Sequence, residues 1–218
     1  MPGEKLKVAV LISGRGSNLQ ALLDACADPA YPARIVRVIS NVAGAYGLER
    51  ARAAGVDTLV IRHKDYDSRE AFDAALDAGV RDSGADAVCL AGFMRLLTPG
   101  FTAAWQGRLL NIHPALLPSF KGLHTHRQAL EAGVKLHGCT VHLVTPDLDG
   151  GPILAQAAVP VLPGDDEDSL AARVLEQEHR LYPLALRLLA ECRVRVENGV
   201  ARIAGLSDSG ARLLNPQG

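Results

Sequence analysis

Asn111-Ile112-His113-Pro114 is the densest piece of chemistry in this 218-residue chain. In an extended strand, Asn111 and His113 project from one side and Ile112 from the other. An amide and an imidazole held side by side can both donate to one oxygen, and the imidazole can also carry a proton. A core histidine hydrogen-bonded to an amide would give the same pattern without catalysis. Asp147-Leu148-Asp149-Gly150-Gly151 places an acid before paired glycines. That suits either a tight bend presenting the acid or a plain solvated turn. The combination of interest is Asp149 against His113, because a nearby carboxylate favours the imidazolium form.

A glycine-rich loop, Gly14-Arg15-Gly16-Ser17-Asn18, lies between an apolar β-branched run and a helical pattern. Backbone N–H groups at a helix N-terminus face an anion, and glycine lets the chain approach it closely. A dinucleotide fingerprint would need a third glycine where Leu19 stands and an acid where Ser40-Asn41 stand. A Walker loop would need Gly-Lys-Ser/Thr, which is absent. Two readings remain. One is a phosphate-monoester site with Ser17 and Asn18 as added donors. The other is a tight turn in which Ser17 or Asn18 is only a helix cap. His124-x-His126 could ligate zinc, but no HExxH or second ligand pair stands at metal spacing, so no metal is expected.

These groups need a scaffold, and the pattern around them is an alternation of strands and helices. Strands are expected at 7–13, 34–40, 58–61, 87–91, 109–112, 136–144 and 153–161. Helices are expected at 18–26, 47–54, 68–80, 98–105, 127–132 and 169–190. Ser169 is the expected cap of the last helix, and Pro183 is expected to bend it. Asn198-Gly199 signals a hairpin, and the final residues read as frayed. The expected fold is α/β, a doubly wound, mostly parallel, Rossmann-like sheet in a single domain.

Composition narrows the class. A formal net charge of −1 argues against a general nucleic-acid binder. No apolar stretch approaches the ~18 residues of a membrane helix, and MPGEKLKVAVLIS is not a signal peptide, so the expectation is cytoplasmic. Cys26, Cys89, Cys139 and Cys192 form no CxxC pair and read as reduced thiols, with Cys26, Cys89 and Cys192 expected to be buried.

The ordered motifs VLISGRGSNLQAL, SNVAGAYGLERA, AGFMRLLTP, GRLLNIHPALLPSFKGLHTHRQAL, HGCTVHLV, LDGGPILAQ and RVLEQEHRLYP together resemble the folate-dependent formyltransferases, from about Lys7 to about Ala190. The likeness is to the branch whose acceptor is glycinamide ribonucleotide. The resemblance implies one formyltransferase domain over 1–190, with a mononucleotide-binding half over 1–100, a folate and catalytic half over 101–190, and a hairpin and tail over 191–218. It implies transfer of formyl from 10-formyltetrahydrofolate to the glycinamide amine in purine biosynthesis, by a monomer or homodimer. Asn111, His113 and Asp149 match the family's catalytic trio. Gly16, Ser17 and Asn18 match its phosphate site, and Gln177 and Glu178 its contacts to the same ribonucleotide. Arg69, Met94, Arg95, Leu96, Leu97, Asn111, Thr145, Pro146, Asp147, Leu148 and Asp149 match its folate site. Arg15 occupies a variable position, and Lys121 is a second cation without an assigned role.

Other members of that family take other acceptors. The tRNA-directed enzymes carry a C-terminal RNA-binding domain, for which the chain is too short. The formyltetrahydrofolate hydrolases carry an N-terminal regulatory domain, whereas the first strand here starts at Lys7. Water as acceptor would also leave the phosphate loop without a purpose. A nucleotide-sensing module would keep the loop but has no need of Asn111, His113 and Asp149.

Overall fold

In the computed structural model, which describes residues 4–206 and Asn215, the β-branched runs become strands and the amphipathic stretches between them become helices. In chain order these are β1 (Leu6–Ile12), α1 (Ser17–Ala27), β2 (Ala33–Ser40), α2 (Tyr46–Ala53), β3 (Asp57–Val60), α3 (Arg69–Asp82) and β4 (Ala87–Leu90). Then follow α4 (Pro99–Ala104), β5 (Leu109–His113), α5 (Thr125–Glu131), β6 (Leu136–Leu143), β7 (Ile153–Pro160), α6 (Glu167–Ala190), β8 (Val194–Glu197) and β9 (Val200–Ile203). Seven strands form one sheet in the order β3-β2-β1-β4-β5-β6-β7. Pairings from β3 across to β5 are parallel, while β5–β6 and β6–β7 are antiparallel. The chain winds outward from β1 to β3, then returns to place β4 on the other side of β1. That reversal opens a crevice at the carboxyl ends of β1 and β4, where such sheets bind ligands.

Strand alternation supplies two cores. Val8, Val10, Ile12, Leu110, Ile112 and Val141 face the layer of α1, α2 and α6, meeting Leu19, Leu22, Leu48, Val174 and Leu186. Ala9, Leu11, Ile39, Val88, Leu90 and Leu109 face α3 and α4, meeting Phe72, Leu76, Phe101 and Trp105. Burying a large apolar side chain contributes roughly 1.5–3 kcal/mol. An exposed ion pair such as Arg52–Glu49 contributes about 0–1 kcal/mol. Apolar alternation therefore decides which way each strand faces.

Several local expectations change. The cap of α6 is Asp166, whose side chain accepts from Ser169 N at 2.8 Å, while the Ser169 hydroxyl accepts from Asp166 N at 3.0 Å. Ser169 is thus the third helical residue of a reciprocal capping box, and the helix starts two residues earlier than expected. Helix α6 runs on through Pro183, whose carbonyl accepts the Tyr31 hydroxyl at 2.6 Å. Cys192 is exposed rather than buried, because it lies past the end of α6 with a φ of +54°. Cys26 is half-buried, Cys89 and Cys139 are buried, and all four are free thiols. The β8–β9 hairpin turns at Asn198 and Gly199, both with positive φ, as a type I′ turn requires. The frayed tail expected beyond the hairpin lies outside the described residues. Among the described residues, no helix is long and apolar enough to cross a membrane.

Candidate active site

Asn111 and His113 sit at the end of β5, and the antiparallel register sets His142 opposite Asn111 and Thr140 opposite His113. Leu110 and Ile112 are spent on the α1/α6 core, so Asn111 and His113 project from the opposite face. His113 is buried with an acceptor at each ring nitrogen. Nε2 donates to the Phe120 carbonyl at 2.9 Å, and Nδ1 lies 3.5 Å from Asp149 Oδ2. Both ring nitrogens thus face oxygens that can only accept. His142 does the opposite. Its Nδ1 donates to the Leu143 carbonyl at 3.0 Å, which leaves Nε2 as a lone-pair acceptor 3.3 Å from Asn111 Nδ2. Burial lowers the His142 pKa, which suits that neutral role. His142 thereby orients the Asn111 amide, whose second N–H has no acceptor among the described residues.

Asp149 reaches this face because the loop after β6 folds back over it. The Asp149 side chain is buried, accepts Gly122 N–H at 2.9 Å, and lies 3.8 Å from His142 Nε2. The fold-back requires glycine at 151, where a Cβ would come 1.8 Å from the Leu143 carbonyl oxygen. Thr145, Pro146, Asp147 and Leu148 form the outer limb of the loop, the last three of them exposed. Lys121 arches over it, since a Cβ on Gly150 would meet its Nζ at 3.5 Å. Arg15 is exposed within the glycine-rich loop.

The glycine-rich loop follows β1. Gly16 is the cap residue of α1 with a φ of +70°, a left-handed conformation, and no side chain caps the helix. The capping alternative for Ser17 and Asn18 is therefore not what the chain does. Asn18 Nδ2 donates instead to Glu178 Oε2 on α6 at 2.8 Å. The backbone N–H groups of Arg15, Gly16, Ser17 and Asn18 have no acceptor among the described residues. Glu178 is buried, and burial lifts its pKa to about 7 against the pull of the Asn18 hydrogen bond. Gln177 beside it is half-buried.

The segment from Met94 to Leu97 crosses between these two regions and is pinned at three points. Met94 N–H donates to the Ser13 hydroxyl at 2.8 Å, Arg69 Nη2 to the Leu96 carbonyl at 2.9 Å, and Thr98 N–H to buried Asp73 at 2.6 Å. Met94 and Leu96 are left about two-thirds exposed, at 65% and 63%. Arg69, Arg95 and Leu96 also line a cavity of about 210 Å³ with His63, Tyr66 and Phe72. His124 is exposed, and His126 packs edge-on against buried His137 with ring centroids 5.2 Å apart.

Sequence reasoning passed over His142 and Ser13. His142 stands on the Asn111 side of its strand, a signal usable only once the β5–β6 register is known. Ser13 bonds Asn41 Oδ1 at 2.6 Å, and Asn41 in turn meets His63 Nδ1 at 3.2 Å. A polar ending of β2 is what its sequence carried in place of an acid.

Residues 6–186 match the model of the formyl transferase family. The chain is 49% identical over 213 residues to the phosphoribosylglycinamide formyltransferase of Escherichia coli K12, covering 98% of both chains. It is 53% identical over 197 residues to the trifunctional purine biosynthetic protein adenosine-3 of Bos taurus, covering 90% of this chain but spanning only 20% of that much longer protein. The crystal structure of glycinamide ribonucleotide transformylase 1 from Symbiobacterium toebii superposes with a TM-score of 0.90 at 55% identity, over 92% of this chain and 95% of that one.

Proposed function

This chain belongs to the formyl transferase family, and from that membership we propose that it transfers a formyl group from 10-formyltetrahydrofolate to the amine of glycinamide ribonucleotide, a cytoplasmic step of purine biosynthesis. The observation that carries the reading is His113, a buried imidazole with acceptors at both nitrogens beside an amide with a free N–H.

The unprotonated acceptor amine attacks the formyl carbon, and negative charge collects on the former carbonyl oxygen. Asn111 donates to that oxygen, as does the His113 imidazolium through Nδ1, which lies 3.5 Å from Asp149 and is not hydrogen-bonded to it, each preorganised donor contributing about 2.7–4 kcal/mol. As the bond from the formyl carbon to the folate nitrogen breaks, His113, directly or through water, delivers a proton to that nitrogen, which adds roughly 10²–10⁴-fold, and the proton shed by the attacking amine restores the imidazolium. Asp149 supports the charge on His113. No covalent enzyme intermediate is required. The exposed faces of Met94, Leu96 and Leu148 suit a flat apolar ring system, and Arg69 and Arg95 suit the carboxylates of its tail. The free N–H groups from Arg15 to Asn18 suit the acceptor's phosphate, and Glu178 with Gln177 suits the polar body of the same substrate.

Folate product formation, followed with and without glycinamide ribonucleotide, tests the reading. Product is expected only with the ribonucleotide; equal product without it would make water the acceptor. His113→Ala and Asp149→Asn are expected to lower kcat by about a hundredfold or more while the chain still folds, His113→Ala with a lowered thermal midpoint from the cavity and the unpaired Phe120 carbonyl. Near-parental turnover in both variants would remove the proton-transfer scheme.

A further inference from the structure

Helix α2 grips the glycine-rich loop from outside. Gly47 N–H donates to the Gly14 carbonyl at 3.0 Å, and Arg50 Nε donates to the Arg15 carbonyl at 2.9 Å. These carbonyls belong to consecutive peptide groups. Across a planar trans peptide, the C=O and the N–H point in opposite directions. Holding the Gly14 carbonyl therefore turns Arg15 N–H away from α2, and holding the Arg15 carbonyl does the same for Gly16 N–H. The approach is close enough to exclude side chains from both partners. A Cβ on Gly16 would lie 2.8 Å from Gly47 Cα, and one on Gly47 would lie 2.5 Å from Ile12 Cδ1.

Arg50 is itself held on two further sides. Its Nη1 donates to Gln20 Oε1 on α1 at 3.1 Å, Gln20 in turn bonds Asp24 at 2.8 Å, and the guanidinium lies over the Tyr46 ring at 5.0 Å. One rigid fork thus ties α2, the loop and α1 together. A lysine ammonium cannot reproduce that planar two-acceptor geometry.

We infer that Arg50 is a positioning residue for a phosphate monoester: by holding the Arg15 carbonyl, it aims Gly16 N–H, beside the Arg15 N–H set by Gly47, into a preformed anion cradle. This rests on the reading of the loop as the phosphate subsite. Successive N–H groups fixed in one direction form an anion-binding concavity, and fixing them beforehand removes the cost of ordering them on binding.

The full chain, Arg50→Met and Arg50→Lys are titrated with inorganic phosphate while the backbone amide resonances of Arg15–Asn18 are followed. Steady-state kinetics are run on glycinamide ribonucleotide and on its 5′-dephosphorylated form. Parent protein is expected to show saturable shifts at those amides. Both variants are expected to bind phosphate about tenfold more weakly, with the ribonucleotide KM raised to match and kcat within about twofold. On the dephosphorylated acceptor, kcat/KM should be the same for all three proteins. The inference is overturned if the parent amides do not respond, or if Arg50→Met keeps full phosphate affinity. Full recovery in Arg50→Lys would assign the effect to charge alone and overturn the carbonyl grip. Equal loss on the dephosphorylated acceptor would overturn a phosphate-specific role. Should Arg50→Met fail to fold, Arg50→Lys carries the same comparison. A parent that binds phosphate but does not formylate the ribonucleotide would defeat the functional reading alone, and the titration would still decide the role of Arg50.

Discussion

Glu178 puts a measurable pH dependence into the candidate site. It is 6% exposed, and burial lifts its carboxyl from 4.5 to about 7. The folded chain therefore holds this proton more tightly than the unfolded chain does. The associated stability is fully present below pH 4.5 and is lost as pH rises through about 7. Glu178→Gln keeps the shape and the Asn18 bond but cannot ionise. It is expected to exceed the parent by about 2–3 kcal/mol at pH 8 and to match it below pH 4.5. Urea denaturation across that range measures the gap, and equal stability at pH 8 would mean that Glu178 ionises in the folded chain at no cost. At this scale the sequence was informative where one strand sufficed. Strand alternation put Asn111 and His113 on one side, and the Asp149-Gly150-Gly151 spacing marked a bend. It was uninformative for His142, because its contact with Asn111 depends on how two distant strands slide past each other.

Among the elements, the loop between β6 and β7 is the most exacting. Asp149 reaches His113 only because Gly151 lets the backbone pass against the Leu143 carbonyl. Gly151→Ala must displace main chain. It is expected to cost about 1–3 kcal/mol or more from overpacking and, by moving Asp149, to lower kcat about tenfold or more. Thermal melting and turnover read the two effects separately; parental values in both would show that the loop has slack. Element types were readable from apolar period, but strand direction was not. The pattern of Leu136–Leu143 is the same whether β6 runs with β5 or against it, and the observed direction is what sets Thr140 and His142 beside the pair on β5. The start of α6 was misread because Asp166 and Ser169 are both good cap residues, and only the reciprocal bonds show which one ends the loop.

At the scale of the molecule, the doubly wound sheet was legible from the strand–helix alternation, since parallel neighbours need helical crossovers. How the sheet divides the candidate site was not. The glycine-rich loop opens α1 and meets α6 through Asn18 and Glu178, in one helical layer. Asn111 and His113 face the other side, beyond Leu109 and the α3–α4 core. On the proposed reading, an acceptor whose phosphate sits in this loop leans over the sheet's rim to present its amine on the far side. The rim then works as a length gauge, indifferent to what the tether is made of but strict about how far it reaches. An acceptor lengthened by one methylene, with β-alanine in place of glycine, should dock with a similar KM yet turn over about a hundredfold more slowly. Equal kcat for both lengths would show that the gauge has no teeth. If it holds, selectivity for the short amino-acid arm is set by the thickness of the sheet rather than by any side chain that reads the arm directly.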